Sequence, residues 1–113
     1  GDGIVELSLV SVPVAEPKEK EVVLRMEASP VNPADMSLML AHADLSTLQQ
    51  LPGPVLSAKI PAAKMGALDG RLGKSMSVGN EGAGVVVRAG SSPQAQALLG
   101  KVVGVIGGEM WSQ

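Results

Sequence analysis

The chain has 113 residues, a net charge of −2, no Cys, and one aromatic residue, a Trp. Such a length admits one small domain, and the lack of Cys excludes disulfides, thiolate metal ligands and thiol nucleophiles. Nucleic acid is an unsuited partner, because there is neither a basic block for phosphates nor an aromatic platform for bases.

No apolar run approaches the roughly 20 residues that a bilayer span needs. No basic segment followed by an apolar one marks a secretory leader. A Cys-free chain with these features is expected in a reducing cytoplasm. Without Phe or Tyr, the core must come from Val, Leu, Ile, Met and Ala. The chain opens at Gly1-Asp2-Gly3 without Met and closes on "GGEMWSQ" directly after an apolar run. It is therefore expected to be a piece of a larger parent.

In "IVELSLVSV" (4–12), Val5, Leu7 and Leu9 alternate with Glu6 and Ser8, the period of a strand. "VPVAEPKEKE" follows as a polar, proline-bearing surface loop. "EVVLRMEA" (21–28) alternates again, with Val22, Leu24, Met26 and Ala28 opposite Val23, Arg25 and Glu27. The period then lengthens. Asn32 suits an N-cap, Pro33 the first helical position, and Asp35 the first turn. Met36, Met39, Leu40 and Ala43 recur at helical spacing, so a helix is predicted from Pro33 to about His42.

Residues 43–78 hold Pro52, Pro54 and Pro61 among four glycines. They read as a long loop with at most a helical turn near Leu45–Leu51, and loops of that length are usually functional or disordered. Lys59, Lys64, Arg71 and Lys74 give it a mild basic bias. In "EGAGVVVRAG", Gly82 and Gly84 permit close backbone approach. Val85–Val87 is continuous and is predicted to be buried on both faces. "SSPQAQALLG" reads as a short helix with Ser92 as cap, Pro93 first and Gly100 as stop. "KVVGVIGG" is a last strand. Short strands with two short helices indicate a mainly β barrel or sandwich.

Three constellations stand out. "VVGVIGGEM" places a Gly-rich turn after a strand, but G-x-G-x-x-G is absent and no helix follows, so a plain strand end is the better reading. Asn32-Pro33-Ala34-Asp35 is fully explained as a capped helix start. Glu81, set between Asn80 and Gly82, would by itself be a solvated strand end.

Taken in order, "EVVLRMEASPVNPAD", "GNEGAGVVVRAG" and "GKVVGVIGG" resemble the N-terminal domain of the medium-chain dehydrogenase/reductase superfamily, over about Glu21 to Gln113. The resemblance implies a GroES-like, partly open β-barrel with a few short helices over residues 1–113. A Rossmann cofactor domain is expected after residue 113. In zinc-dependent members a Cys stands at the position of Asn32 and a His at that of Asn80. Neither Asn side chain is a usual zinc ligand. The chain is thus similar to the zinc-independent branches, quinone oxidoreductases and 2-enoyl thioester reductases, with no metal site.

Those enzymes transfer hydride from NADPH to a carbonyl-conjugated C=C bond or a quinone. The resemblance implies that Asn32 lies by the nicotinamide ribose or the substrate carbonyl. Asp35, Asn80, Glu81 and Trp111 would border the substrate cleft. It further implies a small-molecule substrate and a homodimeric parent. The Tyr donor of the family has no counterpart, as the chain has no Tyr. The proton donor is then missing, supplied by the rest of the parent, or His42, the only His. At a helix end His42 would equally serve to cap carbonyls. The alternative function is a non-enzymatic GroES-like binding or assembly module, with 43–78 as its mobile loop.

Overall fold

The computed structural model describes residues 1–112; Gln113, the last residue of the expected domain, lies outside the described residues. Strand predominates, at 37% against 21% helix, which makes the chain mainly β as expected. The strands are β1 (Gly3–Ser8), β2 (Val22–Ala28), β3 (Asp44–Leu51), β4 (Val55–Ile60), β5 (Glu81–Ala89) and β6 (Val102–Ile106). The helices are α1 (Pro33–Leu40), α2 (Ala62–Met65) and α3 (Pro93–Ala97), and a 3-10 turn covers Gly66–Arg71. The strands form two three-stranded antiparallel sheets, each open, ordered β1-β4-β3 and β2-β5-β6. Among the described residues no helix is long and apolar enough to cross a membrane.

The chain divides into two compact units. The first combines Gly1–Ser11 with Pro33–Met76, and the second combines Val12–Asn32 with the chain from Ser77 onward.

In the first unit β4 is central, which is why Ala58 and Ile60 are buried. Val5 lies opposite Ala58 and Leu7 opposite Leu56, so the predicted alternation of β1 sets its apolar face against β4. Gly3 sits under the flexible end of the Met65 side chain. The carboxylate of Asp2 accepts from the Ala62 N–H at 2.9 Å and anchors the start of α2. β1 ends at Ser8, shorter than predicted, and Leu9, Val10 and Val12 are exposed.

The predicted loop 43–78 is corrected. Residues 44–60 form a β-hairpin, and 62–71 are helical. Its turn is Pro52-Gly53, with Gly53 at φ 82°, the positive φ that the third position of a Pro-Gly turn requires. β3 is irregular. Its register jumps between Asp44 and Gln49, and the Thr47 hydroxyl fills the gap. It accepts from the Lys59 N–H at 2.8 Å and donates to the Asp44 carbonyl at 2.6 Å. "DLSTLQQL" shows no alternation because half of this edge strand is bulge.

In the second unit β5 is central, and Val86, 1% exposed, is its best-buried side chain. Full burial of one such residue is worth about 1.5–3 kcal/mol. Val85 is half-buried and Val87 is 41% exposed, so the prediction of a strand buried on both faces is corrected. The cause is the antiparallel sheet, which leaves one face to water. Gly84 lies against the Arg25 carbonyl and Gly82 within 2.8 Å (from an added Cβ) of the Ala28 carbonyl. Both glycines therefore serve the close approach of β2 expected of them. α3 is built as its sequence dictates: the Ser92 hydroxyl accepts from Ala95 N–H at 3.2 Å, Pro93 comes first, and Gly100 follows at φ 76°. The polar segment from Val12 to Glu21 is exposed but tied back. Glu19 and Glu21 accept from the Ser92 and Gly90 N–H groups at 2.9 and 2.8 Å.

Candidate functional site

Glu81 is the first residue of β5 and stands opposite Ile106 of β6. Its side chain is exposed, as a solvated strand end would be, but it is held in place. The Asn32 amide Nδ2 donates to its Oε1 at 3.1 Å. The Ser29 hydroxyl donates to its backbone carbonyl at 2.8 Å. One residue earlier, the carbonyl of Asn80 accepts from the Gly107 N–H at 2.8 Å. The corner at Asn80-Glu81 is thereby fastened to the segment after β2 and to the end of β6.

Trp111 joins the same corner. Its backbone N–H donates to the Val78 carbonyl at 3.1 Å and its indole N–H to the Pro30 carbonyl at 3.3 Å. It rests on Gly79, which has φ 103°. A Cβ there would lie 2.6 Å from Trp111 N and 2.7 Å from its Cδ1. Only a residue with no Cβ allows both this backbone and this neighbour. Of the ring-bearing residue, 37% remains exposed.

The structure thus brings together four of the six residues singled out in the sequence: Asn32, Asn80, Glu81 and Trp111. Asp35 and His42 belong to the other unit. Asp35 is fully buried in the first turn of α1, and His42 is half-buried two residues beyond the end of that helix. Asn32 directly precedes Pro33, the first residue of α1, as its reading as a cap position required.

Ser29 and Gly79 were missed by the sequence reading. Their roles depend on partners 52 and about 32 residues away, which no local pattern records.

Alongside the corner lies a shallow depression lined by Ala28, Pro30, Gly82, Ala83, Gly104, Val105 and Ile106, with Glu81 as its one ionisable residue. β6 ends in Gly107-Gly108, and residues 109–112 form no helix. The strand end read from the sequence is what is found there. Among the described residues no three His, Asp or Glu side chains gather as a metal site would require.

No protein-family model matches the chain, and no curated protein matches it. The functional reading therefore rests on residue types and on the geometry around Glu81.

Proposed function

We propose that the chain is the substrate-side N-terminal domain of a zinc-independent, NADPH-dependent oxidoreductase of the medium-chain dehydrogenase/reductase type. It would reduce a carbonyl-conjugated C=C bond or a quinone. The observation that carries the reading is the Asn32–Glu81 hydrogen bond. It joins the "VNPAD" and "GNEG" segments, the two motifs on which the resemblance stands. Zinc independence is supported by residue type: amide side chains occupy the two positions where a thiolate and an imidazole would be the favoured donors.

When bound, NADPH supplies the hydride, and a Rossmann domain in sequence beyond residue 113 would hold most of it. The residues at the corner fit the remaining tasks. The bond to Glu81 holds the amide of Asn32 in one orientation, and the resemblance assigns that amide to a ribose hydroxyl or a substrate carbonyl. The indole of Trp111 offers an apolar wall that displaces water. Asn80 and Asp35 are assigned to the cleft border by resemblance. The chain has no Tyr, so the proton for the α-carbon would come from the rest of the parent or from His42, the only His.

The test uses the full-length protein. NADPH oxidation should proceed with quinones or crotonyl-type thioesters, and Asn32→Ala should lower kcat/KM by roughly 10²-fold, the scale of losing one positioned donor. Stoichiometric bound zinc that activity requires overturns the reading. A seven-membered ring in size-exclusion chromatography, with no NADPH oxidation, replaces it with the assembly module.

A further inference from the structure

The register of β5 and β6 places Glu81 opposite Ile106 and Ala83 opposite Gly104, while β2 places Ala28 opposite Ala83. Directly opposed residues share a face. Across the three strands that face therefore carries the row Ala28–Ala83–Gly104, the smallest side chains available. The row sinks the surface into the depression described above, between Pro30 and Ile106. Space above the floor is open: a Cβ added to Gly104 meets nothing within 4 Å. Ile106 is 90% exposed. The lining is hydrocarbon except at one end, where the exposed Glu81 carboxylate is steadied by Asn32.

A carboxylate accepts up to about four hydrogen bonds, so the bond from Asn32 leaves capacity for a ligand. An anion would be repelled there. A neutral alcohol would gain less than a cation, because it lacks the Coulombic attraction between opposite charges. The geometry points to a binding site for a small apolar cation, an alkyl- or cycloalkylammonium. Its hydrocarbon part covers Ala83 and Gly104, and its ammonium faces Glu81. The inference does not rest on the reductase reading, since neither NADPH nor the first unit takes part.

The test titrates the 113-residue chain with cyclohexylammonium, cyclohexanol and cyclohexanecarboxylate, and follows backbone and indole 1H–15N shifts. The single indole is one resolved signal, and its N–H is bonded to Pro30 at the edge of the depression. The ammonium should give saturable shifts at Gly82, Gly104, Ile106 and the Trp111 indole. Cyclohexanol should bind about tenfold more weakly, the worth of about 1.4 kcal/mol, and the carboxylate not at all. Glu81→Gln should weaken the ammonium about tenfold and the alcohol less. Gly104→Leu, whose first added carbon has open space, should abolish binding with the amide spectrum otherwise retained. Equal binding of the three probes, shifts scattered away from this face, or unchanged affinity in Gly104→Leu overturns the inference. Should Glu81→Gln fail to fold, the three-probe comparison and Gly104→Leu decide the question. NADPH oxidation by the full-length protein is a separate readout, so failure here and failure of the reductase reading are told apart.

Discussion

Asn32 and Glu81 lie 49 residues apart in sequence and share a hydrogen bond of 3.1 Å between amide and carboxylate. The bond ties the chain segment after β2 to the first residue of β5. With the Ser29 hydroxyl on the Glu81 carbonyl, it gives a solvent-facing acid a defined direction.

Removing the amide should cost little and adding a charge should cost more. Asn32→Ala is expected to lower unfolding free energy by about 1 kcal/mol, the usual net worth of such a bond. Asn32→Asp places two carboxylates together, so its loss should be larger at neutral pH and should shrink on acidification as they protonate. Urea unfolding at pH 7 and pH 4 checks both.

The glycines of the second sheet divide into two kinds. An added Cβ at Gly84 runs into the Arg25 carbonyl, whereas one at Gly104 meets nothing. Gly84→Ala should therefore destabilise by about 1–3 kcal/mol, the range for overpacking. Gly104→Ala should be neutral or slightly stabilising, because Ala lowers the entropy of the unfolded chain. The difference between the two midpoints in one denaturant series is the measurement.

Gly79 seats Trp111, and an Ala there would suffer both a strained φ and a clash with the indole. Gly79→Ala is expected to dislodge the ring and to cost about 1–3 kcal/mol of stability. As Trp111 is the sole aromatic residue, its emission should shift to the red without interference. An unshifted spectrum in the folded variant would contradict the packing described.

The titration of Asp44 is displaced downward. The Ser46 hydroxyl, at 2.6 Å, and then the Ser46 N–H, at 3.0 Å, hold its carboxyl below the ordinary 3.8, and Lys64 and Lys59 add to this against slight desolvation. The folded value is lower than the unfolded one. Its contribution is therefore complete above the ordinary value and is lost as pH falls through the folded one. The stability difference between the parent chain and Asp44→Asn should thus hold steady from pH 7 to about 5 and narrow below about 4. A difference that widened on acidification would mean the reverse displacement.

Where local chemistry decided the structure, the sequence could be read. Ser92-Pro93 before α3 and Gly100 after it carry their own instructions, because cap and stop are written within a few residues. β1, β5 and β6 were legible from alternation and from apolar runs. β3 was not, since its bulge removes alternation and Thr47, rather than a backbone group, completes the ladder. Its turn at Pro52-Gly53 was a visible signal outweighed by the surrounding glycines and prolines. Asn32, Asn80, Glu81 and Trp111 were each named from the sequence, and the structure sets them at one corner. That Ser29 and Gly79 serve them was hidden, because a hydroxyl on a distant carbonyl and a glycine beneath a distant indole leave no local pattern.

The division into two units has a consequence for how the chain folds. The backbone passes from one unit to the other after Ser11, after Asn32 and after Met76. Each unit is therefore assembled from two separate stretches, and no single cut yields either one whole. β1 must find β4 some 50 residues downstream and β2 must find β5 some 60 downstream, so loop-closure entropy is spent before two of the four strand pairs form. Folding is expected to be slow for a chain of this size.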